Sequence, residues 1–190
     1  MVDLLQVIQN LVDAISPGGG GLTSLLYVMS WLIGLIFVIM AIRMAARNSE
    51  QSRGVFGQPG ANTSGVAWSF VIGIAFIALP GLLQSLTETF FAQETPDASA
   101  IFSYTPSTIG MLESGSPART IIIGITTIVQ FVGVVAVMRG LLLLRATALG
   151  GGQGPGHFGA GLTFVIAGVM AVNFPLFAGM IELLLTTSSA

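Results

Sequence analysis

The stretch Gly57-Gln58-Pro59-Gly60, followed by the apolar run VAWSFVIGIAFIALP at residues 66–80, decides the fold of this chain. An altered copy, Gly152-Gln153-Gly154-Pro155-Gly156, precedes the run GLTFVIAGVMAVNFP at residues 161–175. The spacing from Gly57 through Gly73 to Pro80 equals that from Gly152 through Gly168 to Pro175. Each copy also follows a long apolar segment that ends in arginines. The sequence therefore predicts one two-helix membrane hairpin that is present twice.

The composition indicates that lipid is the solvent for most of the chain. Of 190 residues, 53% are hydrophobic and only 7% are charged, and the mean hydropathy is +0.90. Soluble domains carry about 25% charged residues, so this chain has too few to cover a water-exposed surface. There is no cysteine, which excludes a disulfide framework and a thiolate metal site.

The first residues predict a short amphipathic helix over 2–15, which Ser16-Pro17 and four glycines end. Apolar residues recur on one helical face and polar residues take the other. The polar face has no lysine or arginine, so attraction to anionic lipid is not expected to hold this helix at a membrane surface. It either lies at the interface or packs on its own protein, or it binds a partner. Together with the glycines it forms an N-terminal unit, residues 1–21.

Four segments are apolar enough for a bilayer core, which needs about 20 residues; they are 22–42, 66–86, 121–144 and 158–183. The predicted fold is an all-α membrane protein with four transmembrane helices as a tandem hairpin repeat. The first hairpin covers residues 22–90 and the second 119–190. A polar and acidic loop, residues 91–118, separates them. Polar loops rich in turn residues, at 48–64 and 148–157, close the hairpins.

The arginines predict the orientation. The first glycine-rich loop is bordered by Arg43, Arg47 and Arg53, and the second by Arg139 and Arg145. Cytoplasmic loops carry an excess of basic residues, so both glycine-rich loops are expected in the cytoplasm. Both termini and the acidic central loop then face the other side of the membrane. These five arginines are expected to set the topology and to contact lipid headgroups.

No enzyme, cofactor or metal site is expected. The segment from Gly154 to Gly159 matches G-x-G-x-x-G, but a membrane helix precedes it and Pro155 lacks an amide donor. A Walker A loop needs a lysine, and the chain has none. His157 is the only histidine, whereas a metal site or a catalytic set needs several partners. Direct nucleic-acid binding is not expected either.

The candidate site residues are therefore structural. Pro80 is expected to kink its helix, because proline removes one backbone hydrogen bond, and a neighbouring helix is expected to satisfy the freed carbonyl. Gln130 and Asn173 lie at membrane depth and are expected to form hydrogen bonds between helices. Small residues on the second helix of each hairpin favour close packing. The residues expected to have a structural role are Gly57, Gln58, Pro80, Gly152, Gln153, Asn173 and Pro175.

These features resemble a known family. An apolar helix ends in basic residues, then come Gly57-Gln58-Pro59-Gly60 and a small-residue helix that ends in Pro80-Gly81-Leu82-Leu83. The second copy contains Met138-Arg139-Gly140 and a glycine-rich loop, but its proline is followed by Leu176-Phe177. The chain resembles the IcmC/DotE proteins of Dot/Icm type IVB secretion systems and the TraQ-like proteins of related conjugative plasmids. The resemblance covers about residues 22–185.

The resemblance implies a small inner-membrane component of a secretion or conjugation machine, and it brings no catalytic residues. The expected function is a non-enzymatic structural or assembly subunit whose partners are the bilayer, other membrane subunits and, in a homo-oligomer, further copies of itself. A pilin-like hairpin subunit that polymerises and binds lipid is one alternative. A channel or transporter subunit is another, suggested by tandem hairpins with proline-broken helices.

Overall fold

The computed structural model describes residues 4–15, 21–52, 63–91, 117–150 and 156–176, and all regular structure in these ranges is helical. The predicted all-α class is therefore confirmed. The helices in chain order are α1 (Leu4–Ile15), α2 (Leu22–Ser52), α3 (Thr63–Ile77), α4 (Leu79–Phe91), α5 (Pro117–Ala148) and α6 (Gly156–Val172). Because α2 continues to Ser52, the first loop begins later than the predicted residue 48.

Helix α1 packs against α5 of the same chain. Packing within the chain was one of the positions predicted for it, beside the membrane interface and a binding partner. Ile8 lies against Gly124 of α5 so closely that a side chain at Gly124 would collide with it. At the end of α1, the buried Thr23 hydroxyl donates a hydrogen bond to the carbonyl of Ile15. Val7 and Leu11 remain exposed. The apolar periodicity of α1 therefore serves first to attach it to the N-terminal part of α5.

The helices α2 and α3 form one antiparallel pair, and α5 and α6 form a second pair with the same type of crossing. A Cβ placed on Gly34 would lie 2.7 Å from the backbone oxygen of Gly73, and one placed on Gly133 would lie 2.7 Å from that of Gly168. Such short distances leave no room for any side chain, so the two backbones are in direct contact at each crossing. Small residues at the interface allow this approach.

The chain bends sharply between α3 and α4. These helices meet at Ala78, two residues before Pro80, and their axes differ by 91°. The kink expected from Pro80 is confirmed. The predicted span over residues 66–86 is broken at this bend, so it counts as one membrane span only if α3 and α4 both belong to it. In the second copy, α6 ends at Val172 and residues 174–176 are helical beyond Asn173, which again lies two residues before a proline.

The two helix pairs meet where α3 packs against α5. A buried cluster at this junction includes Phe37, Phe76, Leu83, Val134 and Val169. Helix α4 contacts α2, α3 and α6. It buries Leu79, Leu83 and Thr87. The end that carries α1 and α4 is thus opposite to the C-terminal ends of α2 and α5, where Arg43, Arg47, Arg139 and Arg145 lie.

By length and apolar composition, the described residues contain two or three candidate membrane spans. Leu22–Asn48 and Ile121–Ala148 each suffice, and Ser64–Ile77 with Leu79–Phe91 make a third if the bent pair is one span. His157–Val172 is a shorter apolar helix. Helices of this kind are typical of a membrane protein. The predicted four spans are therefore not confirmed, and the last part of the predicted fourth span, residues 177–183, lies outside the described residues.

Candidate functional site

The break after α3 is stabilised by a side chain from the neighbouring helix. Proline at position 80 has no amide hydrogen, so the carbonyl of Phe76 loses its helical donor. The hydroxyl of Ser30, in α2, donates to that carbonyl over 2.7 Å, and both groups are buried. A buried carbonyl without a donor costs about 1–3 kcal/mol. The expectation that a neighbouring helix would satisfy the freed carbonyl is confirmed.

The break after α6 has a corresponding arrangement. The amide of Leu176 bonds to the carbonyl of Asn173 and not to that of Val172. The side-chain amide of Gln130, in α5, donates instead to the Val172 carbonyl over 3.1 Å. Gln130 is 1% exposed, so this is an interior contact. In both pairs, therefore, the first helix supplies a polar side chain to the backbone of the second helix where that helix breaks.

Asn173 connects the end of α6 to α4. Its side-chain amide donates to the Thr87 hydroxyl over 2.9 Å and also lies 2.8 Å from the carbonyl of Val169. The Thr87 hydroxyl in turn donates to the carbonyl of Leu83 over 2.8 Å. The predicted hydrogen bonding of Asn173 and Gln130 between helices is thus confirmed. The contact holds α4 on the second helix pair although α4 follows the first pair in sequence.

Not every buried polar group has a partner. Among the described residues, the hydroxyls of Tyr27 and Ser69 are buried without a hydrogen bond. Ser69 is wholly buried on the same face of α3 as Gly73, as the small-residue pattern predicts. In α6 the close packing uses Gly161 and Gly168, as expected from their spacing.

The arginines divide into two kinds. Arg43 and Arg47 are exposed on α2, as residues that contact lipid headgroups would be. On α5, Arg139 stacks over the ring of Phe164 with 5.1 Å between the guanidinium carbon and the ring centroid. Arg145 reaches across to α2, where its guanidinium carbon lies 3.8 Å from the centroid of Phe37. Cation–π contacts of this kind stabilise by about 0.5–2 kcal/mol.

The remaining predicted positions are partly described. Pro80 is half-buried and Pro175 is buried, each next to a helix break. The turn residues Gly57, Gln58, Gly152 and Gln153, together with Arg53, lie outside the described residues. At the start of the second loop, Gly150 adopts φ +78°. Its amide donates to the carbonyl of Thr147, and this turn terminates α5.

An apolar groove of about 360 Å³ opens between α2 and α3 near the first glycine-rich loop. Its position corresponds to the place where Gly140 and Gly161 bring α5 and α6 into contact. The first pair has Ala41 and Val66 at the equivalent positions, and both residues line the groove. The groove is lined by Ala41, Ile42, Ala45, Val66, Ala67 and Phe70.

The described ranges contain no group of three or more histidine, cysteine, aspartate or glutamate side chains that could hold a metal ion. His157 is exposed in the first turn of α6. The site that the geometry does define is the polar contact between the two helix pairs and α4. Its chemistry is hydrogen bonding within a packed interior.

The chain was compared with family models, with curated proteins and with solved structures, and none of them matches it.

Three residues that matter in the structure were not singled out from the sequence. Ser30 and Thr87 are hydroxyl residues in otherwise apolar helix faces, and that contrast was a usable signal. Phe37 lies within an unbroken apolar run, so nothing in its surroundings distinguishes it from its neighbours. Its role depends on Arg145, which is more than one hundred residues away along the chain.

Proposed function

We propose that this chain is a non-enzymatic structural subunit of the inner membrane, built from a tandem repeat of one transmembrane hairpin, in a type IVB secretion or conjugative transfer apparatus. The observation that carries the proposal is the repeated construction of the two helix pairs. Each pair has a backbone-to-backbone glycine crossing, a break two residues before a proline, and a polar side chain bonded to the broken helix. These features serve rigid packing.

The exposed surface supports a subunit that packs within a membrane. Large apolar side chains are exposed along α2 and α3. Exposed apolar surface of this extent marks lipid or protein contact. The exposed side chains there include Leu25, Val28, Trp31, Trp68 and Val71. In this proposal they contact lipid and neighbouring membrane subunits, while the arginine ends of α2 and α5 face the cytoplasmic part of the machine and α1 and α4 face the periplasm.

The resemblance to IcmC/DotE and TraQ-like proteins supports the assignment to a secretion or conjugation machine. It rests on the loop residues from Gly57 to Gly60 and on the small-residue helices that follow. The matching glycine crossings give those small residues a structural role in both copies. No catalytic role is proposed for any residue.

The test is gentle detergent extraction from bacterial membranes, followed by native mass determination and identification of the co-purifying proteins. We expect a complex of fixed mass that contains this chain in a low, defined copy number together with other membrane subunits. Recovery of the protein only as a monomer, with no partner at any detergent concentration that preserves known complexes of the same membrane, would contradict the proposal.

A pilin-like subunit is the second candidate, and one observation favours it. The two helix pairs are alike in construction, and repeated units of one geometry are suited to stacking in a polymer. The same native mass measurement separates the two candidates. A ladder of masses from this chain alone, without a fixed upper limit, would favour the polymer over the assembly subunit.

A further inference from the structure

Three arginines from two helices lie on one face of α2, near its C-terminal end. Met40, Arg43 and Arg47 share this face, because residues spaced at i, i+3 and i+7 are neighbours along a helix. Arg145 of α5 reaches the same face: its Nη2 lies 3.4 Å from the sulfur of Met40, and its guanidinium lies over Phe37. Three positive charges are therefore gathered within about two helical turns.

No described carboxylate neutralises this face. The described acidic side chains, Asp13 and Glu88, belong to α1 and α4 at the opposite end of the molecule. The Nε of Arg145 is buried and has no hydrogen-bond acceptor. Glu50 follows on α2 with its side chain outside the described set, and one carboxylate would still leave the face with a net positive charge. Among the described residues, the face therefore keeps a positive charge that an anion can neutralise.

The same face continues towards the middle of α2 as exposed apolar surface. Leu32, Ile36 and Met40 are 44%, 48% and 42% exposed. From Leu22 to Arg43 the helix rises about 31 Å, which is close to the thickness of a bilayer core. The arginines are therefore at headgroup level when α2 crosses a membrane. Apolar chain followed by negative charge is also the order of groups in a phospholipid.

We propose that this face binds one anionic phospholipid. The phosphate accepts hydrogen bonds from the guanidinium groups of Arg43, Arg47 and Arg145, and an acyl chain lies along Leu32 and Ile36. Guanidinium groups bind phosphate oxygens through paired, charge-assisted hydrogen bonds. Because Arg145 comes from the second helix pair, the lipid contacts both pairs. The inference rests on the membrane location in the proposed function and is independent of the secretion machine.

The experiment is a lipid titration of the purified full chain in a neutral detergent, read by native mass spectrometry. Phosphatidylglycerol is compared with phosphatidylcholine that has the same acyl chains, and soluble glycerol 3-phosphate is the third ligand. We expect one phosphatidylglycerol to bind in preference to phosphatidylcholine, and glycerol 3-phosphate not to compete. Equal binding of the two lipids would overturn the proposal, and full competition by glycerol 3-phosphate would show a phosphate site without a lipid.

The variants locate the site. Replacing Arg43 and Arg47 by Gln should weaken phosphatidylglycerol binding about 25-fold, at about fivefold for each arginine. Arg145→Met, which keeps an apolar side chain beside Phe37, should also weaken it. Arg139→Gln is the matched control, because Arg139 stacks on α6 and should leave the affinity unchanged.

An equal loss in the Arg139→Gln control would mean that total charge and not this face controls binding, and the proposal would fail. If Arg145→Met does not fold, as judged by its melting temperature, the Arg43→Gln/Arg47→Gln variant decides, since both side chains are exposed. Absence of the wild-type chain from the membrane fraction would instead contradict the proposed function.

Discussion

At the scale of single residues, Ser30 and Pro80 act as a pair although they belong to different helices. Proline removes the donor for the Phe76 carbonyl, and the serine hydroxyl replaces it at 2.7 Å. Gln130 acts on a neighbouring carbonyl at the second break. It donates to the carbonyl of Val172, whereas the carbonyl that loses its helical donor to Pro175 is that of Ala171. In a low-dielectric interior an unpaired carbonyl is costly, so the break at Pro80 depends on the hydroxyl of Ser30.

The variant Ser30→Ala should lower the unfolding free energy by about 1 kcal/mol, because the Phe76 carbonyl loses its donor. Pro80→Ala restores an amide at position 80. Ser30→Ala should therefore lower the unfolding free energy much less when position 80 is alanine. Thermal unfolding of the four proteins in detergent measures this coupling.

The control for this cycle is Thr89→Ala, since the Thr89 hydroxyl is exposed and bonds only within its own helix, to the carbonyl of Ser85. It should change the melting temperature little. Ser30→Ala could lower the unfolding free energy equally with proline and with alanine at position 80. That result would show that the serine does not act through the freed carbonyl.

At the scale of elements, the glycine crossings determine how closely the helices of each pair approach. A Cβ on Gly168 would lie 2.7 Å from the Gly133 oxygen and 2.8 Å from the Val137 nitrogen, both backbone atoms. Backbone atoms cannot move aside as a flexible side chain can. Gly159, in the same helix, has nothing within 4 Å of its Cβ position.

We predict that Gly168→Ala lowers the stability by about 1–3 kcal/mol, because α5 and α6 must separate. Gly159→Ala is the matched control. It should be neutral or stabilising by up to about 1 kcal/mol through helix propensity. Denaturation in mixed detergent micelles, followed by circular dichroism, compares the two; similar losses in both variants would show that the crossing is not the cause.

At the scale of the whole molecule, Arg43, Arg47, Arg139 and Arg145 lie at one end and the helices α1 and α4 at the other, where the first turn of α5 carries one further arginine, Arg119. This separation is what the positive-inside interpretation requires of the two glycine-rich loops. The orientation in a bilayer follows from the charges themselves, so it can be tested by reversing them.

Replacing both Arg43 and Arg47 by Glu should disturb the insertion topology, because the first loop then loses most of its positive charge. The chain has no cysteine, so single cysteines introduced as Gly60→Cys and Ala98→Cys report which side each loop faces. Labelling by a membrane-impermeant reagent should change in the Glu variant. The Lys variant at both positions is the control and should label as the parent does.

Unchanged labelling in the Glu variant, combined with loss of transport by the apparatus, would contradict the topological role and place the two arginines in the transport step.

Local chemistry explains which features could be predicted from the sequence. The kink at Pro80 follows from the missing amide, and the pairing of Gln130 follows from a polar group in an apolar helix. The size of the bend, 91°, depends on where α4 packs, and the partners of Gln130 and Asn173 lie 42 and 86 residues away. Contacts between residues so far apart in sequence cannot be predicted from the local periodicity. The reach of Arg145 to Phe37 was hidden for the same reason.

The sharp turn after α3 has a consequence for the lipid around the protein. From Thr63 to the turn after Ile77 the helix rises about 22 Å, against a hydrocarbon thickness of about 30 Å. Its partner α2 has 31 residues and is long enough to tilt. Hydrophobic mismatch on the side of α3 favours local thinning of the bilayer there. The protein would therefore partition into thin membrane regions, and copies or neighbours with the same mismatch would be drawn together without any specific contact.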